Sequence, residues 1–346
     1  MTKVRLGVVG LGWIGKVHAE TAARLGECQL VAVSDVNRST EAIARTVGAT
    51  YYTDYQEMIE KEDLEGVVLA VPNNLHASVG TVCAQEGLHI LLEKPIASTL
   101  SEADRLIESA KQNNVQLLIG HHRRFNAALN TVRGMIQGQQ IGKLVGVAIV
   151  WSMFKPAEYF DVSWRKTQGG GPILINLIHE IDNLRYLCGK ICRIHAEASN
   201  SARGFDVEDS LSVSVRLESG ALASIFMSDT APSLWAYEAT TGENPFFFHS
   251  AENCYYVFGT EASVTFPHLK KIYYQSHGKK GWQHPITVKE VQVPWADPYE
   301  EQLKHFCRVI QGLESPRTTG EDARTTLEIT LGAYESSQSG RPVAFV

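Results

Sequence analysis

The sequence predicts an α/β protein with an N-terminal doubly wound parallel sheet and a second region that carries a largely antiparallel sheet. Residues 1–120 alternate short, near-continuous apolar runs with helix-length amphipathic stretches, as in a parallel sheet covered on both faces. After Arg123, strand-like runs with hairpin signals such as Glu218-Ser219-Gly220 dominate. We therefore predict two domains, residues 1–122 and 123–346.

The N-terminal elements follow from these apolar runs. The β-branched run Val4–Val9 predicts the first strand, which ends at Gly10 and is followed by a helix from about Ile14 to Leu25. The next strand is Gln29–Asp35. Further strands are predicted at Gly66–Ala70, His89–Leu92 and Gln116–Ile119, with helical patterns such as Ser98–Asn113 between them.

The C-terminal region begins with a predicted helix from Arg123 to about Gln137. Its strands are predicted at Leu144–Met153, Ile194–Ser199, Ser210–Leu217 and Ala221–Ser228. Helices are predicted at Pro172–Cys188, Tyr299–Gln311 and Glu321–Ser337. The aromatic-rich segment Trp235–His249, with Glu238, Thr241 and Asn244, is either a specificity loop or an oligomer contact.

Composition excludes several classes of function. The chain has 346 residues, a net charge of −6 and 44% hydrophobic residues, so it can bury a core and lacks the positive charge that nucleic-acid binding requires. No apolar run reaches the roughly 18 residues of a membrane span, and the N-terminus lacks a signal-peptide pattern. Six cysteines without a Cys-x-x-Cys pair predict buried thiols. We expect a soluble, cytoplasmic protein.

The segment Gly10-Leu11-Gly12-Trp13-Ile14-Gly15 is a G-x-G-x-x-G that follows a strand and opens a helix. In such a loop Gly10 makes the tight turn, Gly12 lets the backbone approach a pyrophosphate, and Gly15 lets helix and strand pack closely. The helix N-terminus then receives the phosphates. We predict a dinucleotide site that includes Trp13 and Ile14.

Asp35 ends the second predicted strand, 20 residues after Gly15 (35 − 15), where a carboxylate accepts hydrogen bonds from an adenosine ribose. Its charge would repel a 2′-phosphate, which favours NAD over NADP. Arg38 lies three residues further on and softens that preference, so NADP stays possible.

Three segments follow buried strands at the carboxyl edge of the first sheet, where ligands of open α/β sheets bind. They are Val71-Pro72-Asn73-Asn74-Leu75-His76, Glu93-Lys94-Pro95 and His121-His122-Arg123-Arg124-Phe125-Asn126. Lysine, histidine and arginine at this edge suit binding and deprotonation of a hydroxyl-bearing substrate. Cofactor contacts are predicted for Val71, Pro72, Asn73, His76, Glu93 and Lys94. His76 either caps its loop or lines the nicotinamide pocket, and at least one of Arg123 and Arg124 is expected to meet substrate oxygens.

Over nearly its whole length the chain resembles the Gfo/Idh/MocA family, the relatives of glucose–fructose oxidoreductase and inositol dehydrogenase. The resemblance rests on these segments and on three later motifs, Trp164-Arg165, Gly169-Gly170-Gly171 and His179-Glu180-Ile181-Asp182. It implies a Rossmann domain and a C-terminal α/β domain whose open-faced sheet forms homodimers or homotetramers. It also implies NAD(P)-dependent chemistry on sugars, polyols or related compounds.

The resemblance also implies site roles. Lys94 matches the usual catalytic lysine, His179 a histidine that shares proton transfer, and Trp164-Arg165 a segment that reaches over the cofactor. The Lys94–Pro95 bond is expected to be cis, as relatives often have it. Many relatives place an aspartate four residues before the histidine, where this chain has Ile175, so substrate assignments from inositol dehydrogenases do not carry over safely.

Polar residues on the predicted helix Pro172–Cys188 support a site there. Its apolar stripe is Leu174, Leu177, Ile178, Ile181 and Leu184, and another face carries Asn176, His179, Asp182 and Asn183. Inward-facing polar groups are costly unless they meet partners or ligand. We expect Asn176 and Asp182, with Arg123, to bind substrate. No His-Glu-x-x-His spacing suggests a metal, and hydride transfer needs none.

Three functions remain open from the sequence. The first is a dehydrogenase in which Lys94 or His179 removes a hydroxyl proton while hydride leaves for the nicotinamide. The second is an NAD-retaining glycosidase or lyase that oxidises a sugar carbon transiently. The third, ranked last because the Lys94/His179 pair is present, is a non-catalytic dinucleotide-binding sensor.

Overall fold

The protein divides into two compact units in a computed structural model that describes residues 3–167, 169–275 and 279–345. The first unit comprises Met1–Phe125 and Ala296–Leu327, and the second comprises Asn126–Trp295 and Glu328–Val346. The sequence prediction assigned everything after residue 122 to one domain, whereas in the structure Ala296–Leu327 groups with the N-terminal sheet.

The first unit is built on a six-stranded parallel sheet with the order β3-β2-β1-β4-β5-β6. Its strands are β1 Val4–Val9, β2 Cys28–Ser34, β3 Thr50–Tyr52, β4 Gly66–Leu69, β5 His89–Leu92 and β6 Leu117–Ile119. Its helices up to residue 112 are α1 Trp13–Arg24, α2 Glu41–Val47, α3 Tyr55–Lys61, α4 His76–Gln85 and α5 Leu100–Gln112. The strand order reverses between β1 and β4, which is where open α/β sheets bind ligands.

The second unit carries a nine-stranded sheet with the order β14-β13-β12-β11-β7-β10-β9-β8-β15. Its strands are β7 Leu144–Ser152, β8 Ile191–Ser199, β9 Ser210–Leu217, β10 Leu222–Ser228, β11 Tyr255–Gly259, β12 Ala262–Phe266, β13 Lys270–Tyr273, β14 Thr287–Glu290 and β15 Val343–Ala344. All recorded strand pairs are antiparallel except β7 with β10. The predicted fold class is confirmed.

One face of the second sheet forms the core of its unit. Helices α6 Ala127–Gln137 and α7 Ile178–Cys188 pack their apolar residues against it, and the short helix α8 is Tyr237–Thr241. Strand β9 alternates buried Leu211 and Val213 with exposed serines, so the opposite face remains open to solvent.

Two predicted helices of this unit begin later than the sequence indicated. The segment His122–Phe125 is a 3₁₀ turn, and α6 starts after Asn126, whose side chain accepts a hydrogen bond from Leu129 N at 2.7 Å and so caps the helix. In the predicted helix Pro172–Cys188, the first turn, Ile173–Leu177, is π-helical, and regular α-helix begins at Ile178. π-turns are rare and often mark functional sites.

The last two helices are α9 Pro298–Ile310 and α10 Gly320–Ser339. Asp297 caps α9 by accepting from Tyr299 N, and Pro298 occupies its first turn. The apolar face of α9, with Leu303 and Phe306, joins the core of the first unit. Amphipathic periodicity predicts that a helix covers a sheet but does not indicate which sheet, so it could not place α9 with the first unit. Within the described ranges, no helix is long and apolar enough to cross a membrane.

Candidate active site

The glycine loop between β1 and α1 has the geometry that its spacing predicts. Gly10 has a φ of +89°, and a Cβ there would lie 2.5 Å from Ala70 O. A Cβ on Gly15 would lie 1.8 Å from Gly10 O, so helix and strand pack too closely for any side chain. A Cβ on Gly12 would meet no protein atom within 4 Å. The first and third glycines are therefore required by the fold, and the second faces open space.

The N-terminus of α1 is available to an anion. Gly12 is its N-cap, no side chain caps the helix, and its first turn carries no acidic residue. Trp13 is 53% exposed and Ile14 is half-buried, so both flank this end. Backbone N–H groups at an uncapped helix start, together with the helix dipole, favour a phosphate. The residues present therefore fit the pyrophosphate of a dinucleotide.

Asp35 lies directly after β2 and is tied to the same loop. Its Oδ2 accepts a hydrogen bond from Leu11 N at 2.6 Å, and its Oδ1 accepts from Asn37 N at 2.8 Å. A carboxylate offers about four lone-pair sites, so these bonds leave capacity for ribose hydroxyls. Arg38 is exposed on the next turn. The predicted ribose ligand thus also shapes the phosphate loop.

His76 braces two of the predicted strand-end segments against each other. Its Nδ1 lies 2.6 Å from Pro95 O and its Nε2 lies 2.9 Å from Val71 O. Burial lowers the pKa of His76, although both carbonyls act in the opposite direction. At 1% exposure the ring presents no surface to a ligand, whereas Pro72 and Asn73 of the same segment are exposed.

Glu93 holds its own segment, Glu93-Lys94-Pro95, in place through a buried hydrogen bond. It is buried, and its Oε1 lies 2.8 Å from Nε2 of the buried His18. Burial alone would raise the pKa of Glu93, but the hydrogen bond and charge of His18, with His122 and Lys94, bring it below its usual value. Lys94 is half-buried, and its peptide bond to Pro95 is cis, as predicted.

The segment after β6 is almost fully buried. Arg124 pairs with Asp322 at 2.6 Å and donates to Arg317 O. Of the two candidate arginines, Arg124 therefore has a structural role. Arg123 is only 2% exposed, so it is no surface ion pair. Burial of His122 is the largest cause that lowers its pKa to about 3. The charge of Arg123 is the next cause, and Lys94 acts in the same direction. Arg123 and Lys94 are therefore near the same imidazole.

In the second unit, α7 positions the candidate His179. A buried chain of hydrogen bonds ties this helix to β11: Asn183 Nδ2 donates to Tyr255 Oη at 2.7 Å, and Tyr255 Oη donates to Glu180. His179 and Asp182 are also buried. The polar face predicted for this helix is thus inside the unit, and Asn183 has a structural role.

Lys155 is a site residue that the sequence analysis missed. Its Nζ donates to Asn176 Oδ1 at 2.9 Å and lies 3.2 Å from Asp229 Oδ2. Burial lowers the pKa of Lys155, and the charge of Asp229 acts in the opposite direction. The available signal was a lysine before a proline at the end of an apolar strand, Trp151-Ser152-Met153-Phe154-Lys155-Pro156.

The motif Gly169-Gly170-Gly171 serves close packing beside this cluster. A Cβ on Gly170 would lie 2.4 Å from Trp164 O, and one on Gly171 would lie 2.4 Å from Glu208 Oε1. The same Glu208 oxygen accepts from Ile173 N at 2.9 Å, at the start of the π-turn, and burial raises the pKa of this carboxyl. The glycines therefore set the approach of the Trp164 turn to the helix.

Trp164 and Arg165 lie on the 3₁₀ turn Ser163–Lys166. Trp164 is about half exposed. The Arg165 guanidinium lies 4.1 Å from the ring centroid of Tyr159 and donates to Tyr159 O at 2.7 Å. Arg165 is thus held in its own unit, and the exposed member of the predicted pair is the tryptophan.

The aromatic-rich segment Trp235–His249 is fastened by its polar residues. Glu238 accepts from Trp151 Nε1 at 2.7 Å, and Tyr237 Oη donates to Glu243 at 2.7 Å. Phe246 and Phe248 are largely exposed. Neither of the two roles expected for this segment is decided by these contacts.

Each unit therefore gathers its own share of the candidates. The first brings the glycine loop, Asp35 and the braced Lys94 to the carboxyl edge of its sheet. The second places Asn176, His179 and Asp182 on one continuous helix, with Lys155 beside its first turn.

Comparison with known families agrees with both halves. Residues 4–121 match the oxidoreductase family with an NAD-binding Rossmann fold, and residues 133–345 match the C-terminal alpha/beta domain of the same family. The chain belongs to the Gfo/Idh/MocA oxidoreductases. This confirms the resemblance and, with it, the prediction of an NAD-binding oxidoreductase.

Two relatives of this Gfo/Idh/MocA chain extend over almost its whole length. Myo-inositol 2-dehydrogenase of Thermotoga maritima is 28% identical over 353 residues, which cover 98% of this chain and 98% of that protein. Scyllo-inositol 2-dehydrogenase (NAD(+)) of Bacillus subtilis is 27% identical and covers 99% and 96%. A putative NADPH-dependent oxidoreductase from Desulfitobacterium hafniense is similar in fold, with a TM-score of 0.85, 22% identity and coverage of 99% and 97%.

Proposed function

We propose that the protein oxidises a hydroxyl-bearing carbon of a polyol, sugar or related compound with NAD, or reduces the corresponding carbonyl. The observation that carries the proposal is the support of Lys94 at the carboxyl edge of the Rossmann sheet. His76 binds the carbonyl of Pro95 on one side, and buried Glu93 pairs with His18 on the other. Such support suits a side chain that must keep one position during a reaction.

The chemical step that the protein's own residues carry out is the transfer of the hydroxyl proton. Oxidation removes a hydride from carbon and a proton from its oxygen, and NAD, when bound, accepts the hydride at nicotinamide C4. Lys94 Nζ or a ring nitrogen of His179 takes the hydroxyl proton, and in reduction the same atom returns it. A lysine acts as a base only if its pKa falls well below about 10.4, which burial and a neighbouring cation can achieve.

The binding roles are assigned as follows. Arg123, Asn176 and Asp182 bind substrate oxygens. His76 and Glu93 act on the cofactor side by positioning Lys94. The cofactor is held by the glycine loop, by Asp35 and by strand-end or turn residues, namely Gly10, Gly12, Trp13, Ile14, Gly15, Asp35, Arg38, Val71, Pro72, Asn73, Lys94, Trp164 and Arg165. NAD is preferred to NADP because Asp35 repels a 2′-phosphate.

The test is a screen of purified protein with NAD⁺ and NADP⁺. Myo-inositol and scyllo-inositol are the first probes because they are named in the relatives, followed by other polyols, sugars and glycosides. Absorbance at 340 nm should rise with at least one polyol or sugar, and more with NAD⁺. Cleavage of a glycoside without accumulation of NADH would instead favour the NAD-retaining glycosidase or lyase. Cofactor binding without turnover of any probe would favour the sensor.

We also propose that the chain forms a homodimer or homotetramer through the open face of the second sheet. The exposed apolar side chains on that face are Leu222, Phe226 and Phe258. Contiguous exposed apolar residues are typical of interaction surfaces. Sedimentation should show an oligomer that Phe226→Glu dissociates, whereas Leu313→Glu, an exposed change in the first unit, should not. A cytoplasmic location stays a prediction of the sequence.

A further inference from the structure

The second unit contains a buried lysine that is held from several sides. Lys155 is 9% exposed, and an ammonium group is costly to bury unless it is paired and hydrogen-bonded. Its Nζ lies 2.9 Å from Asn176 Oδ1, 3.2 Å from Asp229 Oδ2 and 5.0 Å from the ring centroid of Tyr159. The amide oxygen of Asn176 is therefore one of its few close partners.

The carboxylate and backbone of Asp229 fix where this lysine can reach. Lys155 N donates to Asp229 O at 2.8 Å, and Asp229 Oδ1 lies 3.2 Å from Arg203 Nε. Arg203 also donates to Lys155 O at 2.9 Å. Main chain and side chain of Lys155 are thus held by the same two residues, which leaves its ammonium group directed at Asn176.

This contact sets the orientation of the Asn176 amide. An ammonium group only donates, so the oxygen of the carboxamide must face Lys155 and the NH₂ group must face away. Asn176 is half-buried, and across the described ranges its Nδ2 has no hydrogen-bond acceptor. A cation on the oxygen also polarises the amide and strengthens its N–H donors. The result is a fixed pair of donors that meets no acceptor among the described residues.

The position of Asn176 indicates what these donors meet. It lies in the π-helical turn Ile173–Leu177, three residues before His179 on the same continuous helix. We propose that Lys155 is a positioning residue that fixes the Asn176 amide so that Nδ2 donates to an oxygen atom of the substrate. This inference rests on the proposed function, and it names the group that orients the substrate beside His179.

The test compares variants with the best polyol or sugar substrate of the screen, with myo-inositol as the first probe. Lys155→Met removes the donor to Asn176 and should raise KM about tenfold, the scale of one lost hydrogen bond, with kcat within about threefold. Lys155→Gln keeps an N–H donor and should restore much of the affinity. Lys190→Met, the matched control, removes an exposed lysine of the same unit that pairs at the surface with Glu218, and it should leave KM unchanged.

A double variant separates an action through Asn176 from any other. Asn176→Ala should itself raise KM about tenfold, and adding Lys155→Met should then have no further effect, because the amide that Lys155 positions is gone. Independent, multiplying effects would overturn the inference. So would an unchanged KM in Lys155→Met. Melting temperatures of all variants identify any loss of folding.

A readout without turnover keeps this inference separate from the proposed function. In protein labelled with ¹⁵N-asparagine, the NMR signal of the Asn176 side-chain NH₂ group is assigned by its loss in Asn176→Ala. It should shift in Lys155→Met and stay in place in Lys190→Met. An unchanged signal in Lys155→Met contradicts the inference even in an active enzyme. A shifted signal in a protein inactive on every probe supports the Lys155–Asn176 arrangement and contradicts the proposed function.

Discussion

At the scale of single residues, Asp35 serves two purposes with one carboxylate. It holds the glycine loop through Leu11 N and is placed to receive ribose hydroxyls. Replacement by alanine would therefore alter loop and ligand together. Asparagine removes the charge and keeps one acceptor oxygen, at the cost of one of the two backbone hydrogen bonds, because its NH₂ group cannot accept.

We expect Asp35→Asn to raise the KM for NAD⁺ and to improve NADP⁺ relative to NAD⁺, since the repulsion of a 2′-phosphate is removed. Steady-state kinetics with both cofactors measures this ratio, and Arg38→Ala tests the opposing cation. A wild-type preference for NADP⁺ of tenfold or more would mean that Arg38 dominates and that the assignment of NAD is wrong.

His122 makes a second residue-scale prediction, about stability and pH. Its ring stacks on Tyr299 at 4.4 Å, and burial followed by the charge of Arg123 lowers its pKa to about 3, against about 6.5 in an unfolded chain. Between these values only the unfolded chain binds the proton. The contribution of His122 to the free energy of unfolding is therefore complete above about pH 6.5 and is lost as pH falls toward 3.

Wild-type protein should lose melting temperature between pH 7.5 and pH 5, and His122→Gln should lose less over the same range. The difference corresponds to about 1 kcal/mol, because the ring is partly accessible to solvent. Glu93 has a lowered pKa and contributes in the same direction, but only below about pH 4.5, so it does not mask the effect. An equal loss of melting temperature in the two proteins over this pH range would contradict the assignment of a neutral His122.

At the scale of elements, the loop from β1 to α1 has one glycine that the fold requires and another that serves binding. Gly15 is required by the approach of Gly10 O, whereas Gly12 meets no protein atom. Gly15→Ala should therefore lower the melting temperature by several degrees. Gly12→Ala should leave it unchanged and weaken NAD binding at least about tenfold, because the methyl group occupies the approach to the pyrophosphate.

Calorimetric titration with NAD⁺ and thermal melting measure the two effects. Gly26→Ala is the matched control, since a Cβ there also meets no neighbour and the residue lies outside the loop. Undiminished NAD affinity in Gly12→Ala would mean that the pyrophosphate does not approach this glycine.

The same loop explains why some elements were predictable from the sequence. The glycine spacing reflects backbone geometry within one short segment, so the local sequence carries all of the information. β3 was missed because a three-residue strand, Thr50–Tyr52, has too few positions to show a period. The first turn of the helix with Asn176 was predicted as α, but its π-helical form depends on neighbours such as Glu208.

At the scale of the whole molecule, tertiary packing decided what the sequence analysis could not. Lys155 acquires its role from Asp229, 74 residues away in the chain (229 − 155), and from Asn176. No local pattern reports such a partner. His76 was expected either to cap a loop or to line a pocket, and its two carbonyl contacts show that it braces the Lys94–Pro95 segment.

The proposed chemistry assigns one proton to two candidate groups, Lys94 and His179. If both act on one proton transfer, their effects on turnover cannot be independent. Lys94→Ala should lower kcat by roughly 10²–10⁴-fold, the scale for a positioned acid–base group, and His179→Ala should also impair it. The double variant should lose less than the product of the two effects.

The most direct measurement of the central claim is therefore the kcat of Lys94→Ala on the substrate found in the screen, with NAD⁺ titration alongside. Lys111→Ala, an exposed lysine of the same unit paired only at the surface with Glu321, is the control. We predict the loss in kcat for Lys94→Ala alone, with little change in NAD⁺ affinity for either variant. Near-normal turnover of correctly folded Lys94→Ala would contradict the mechanism.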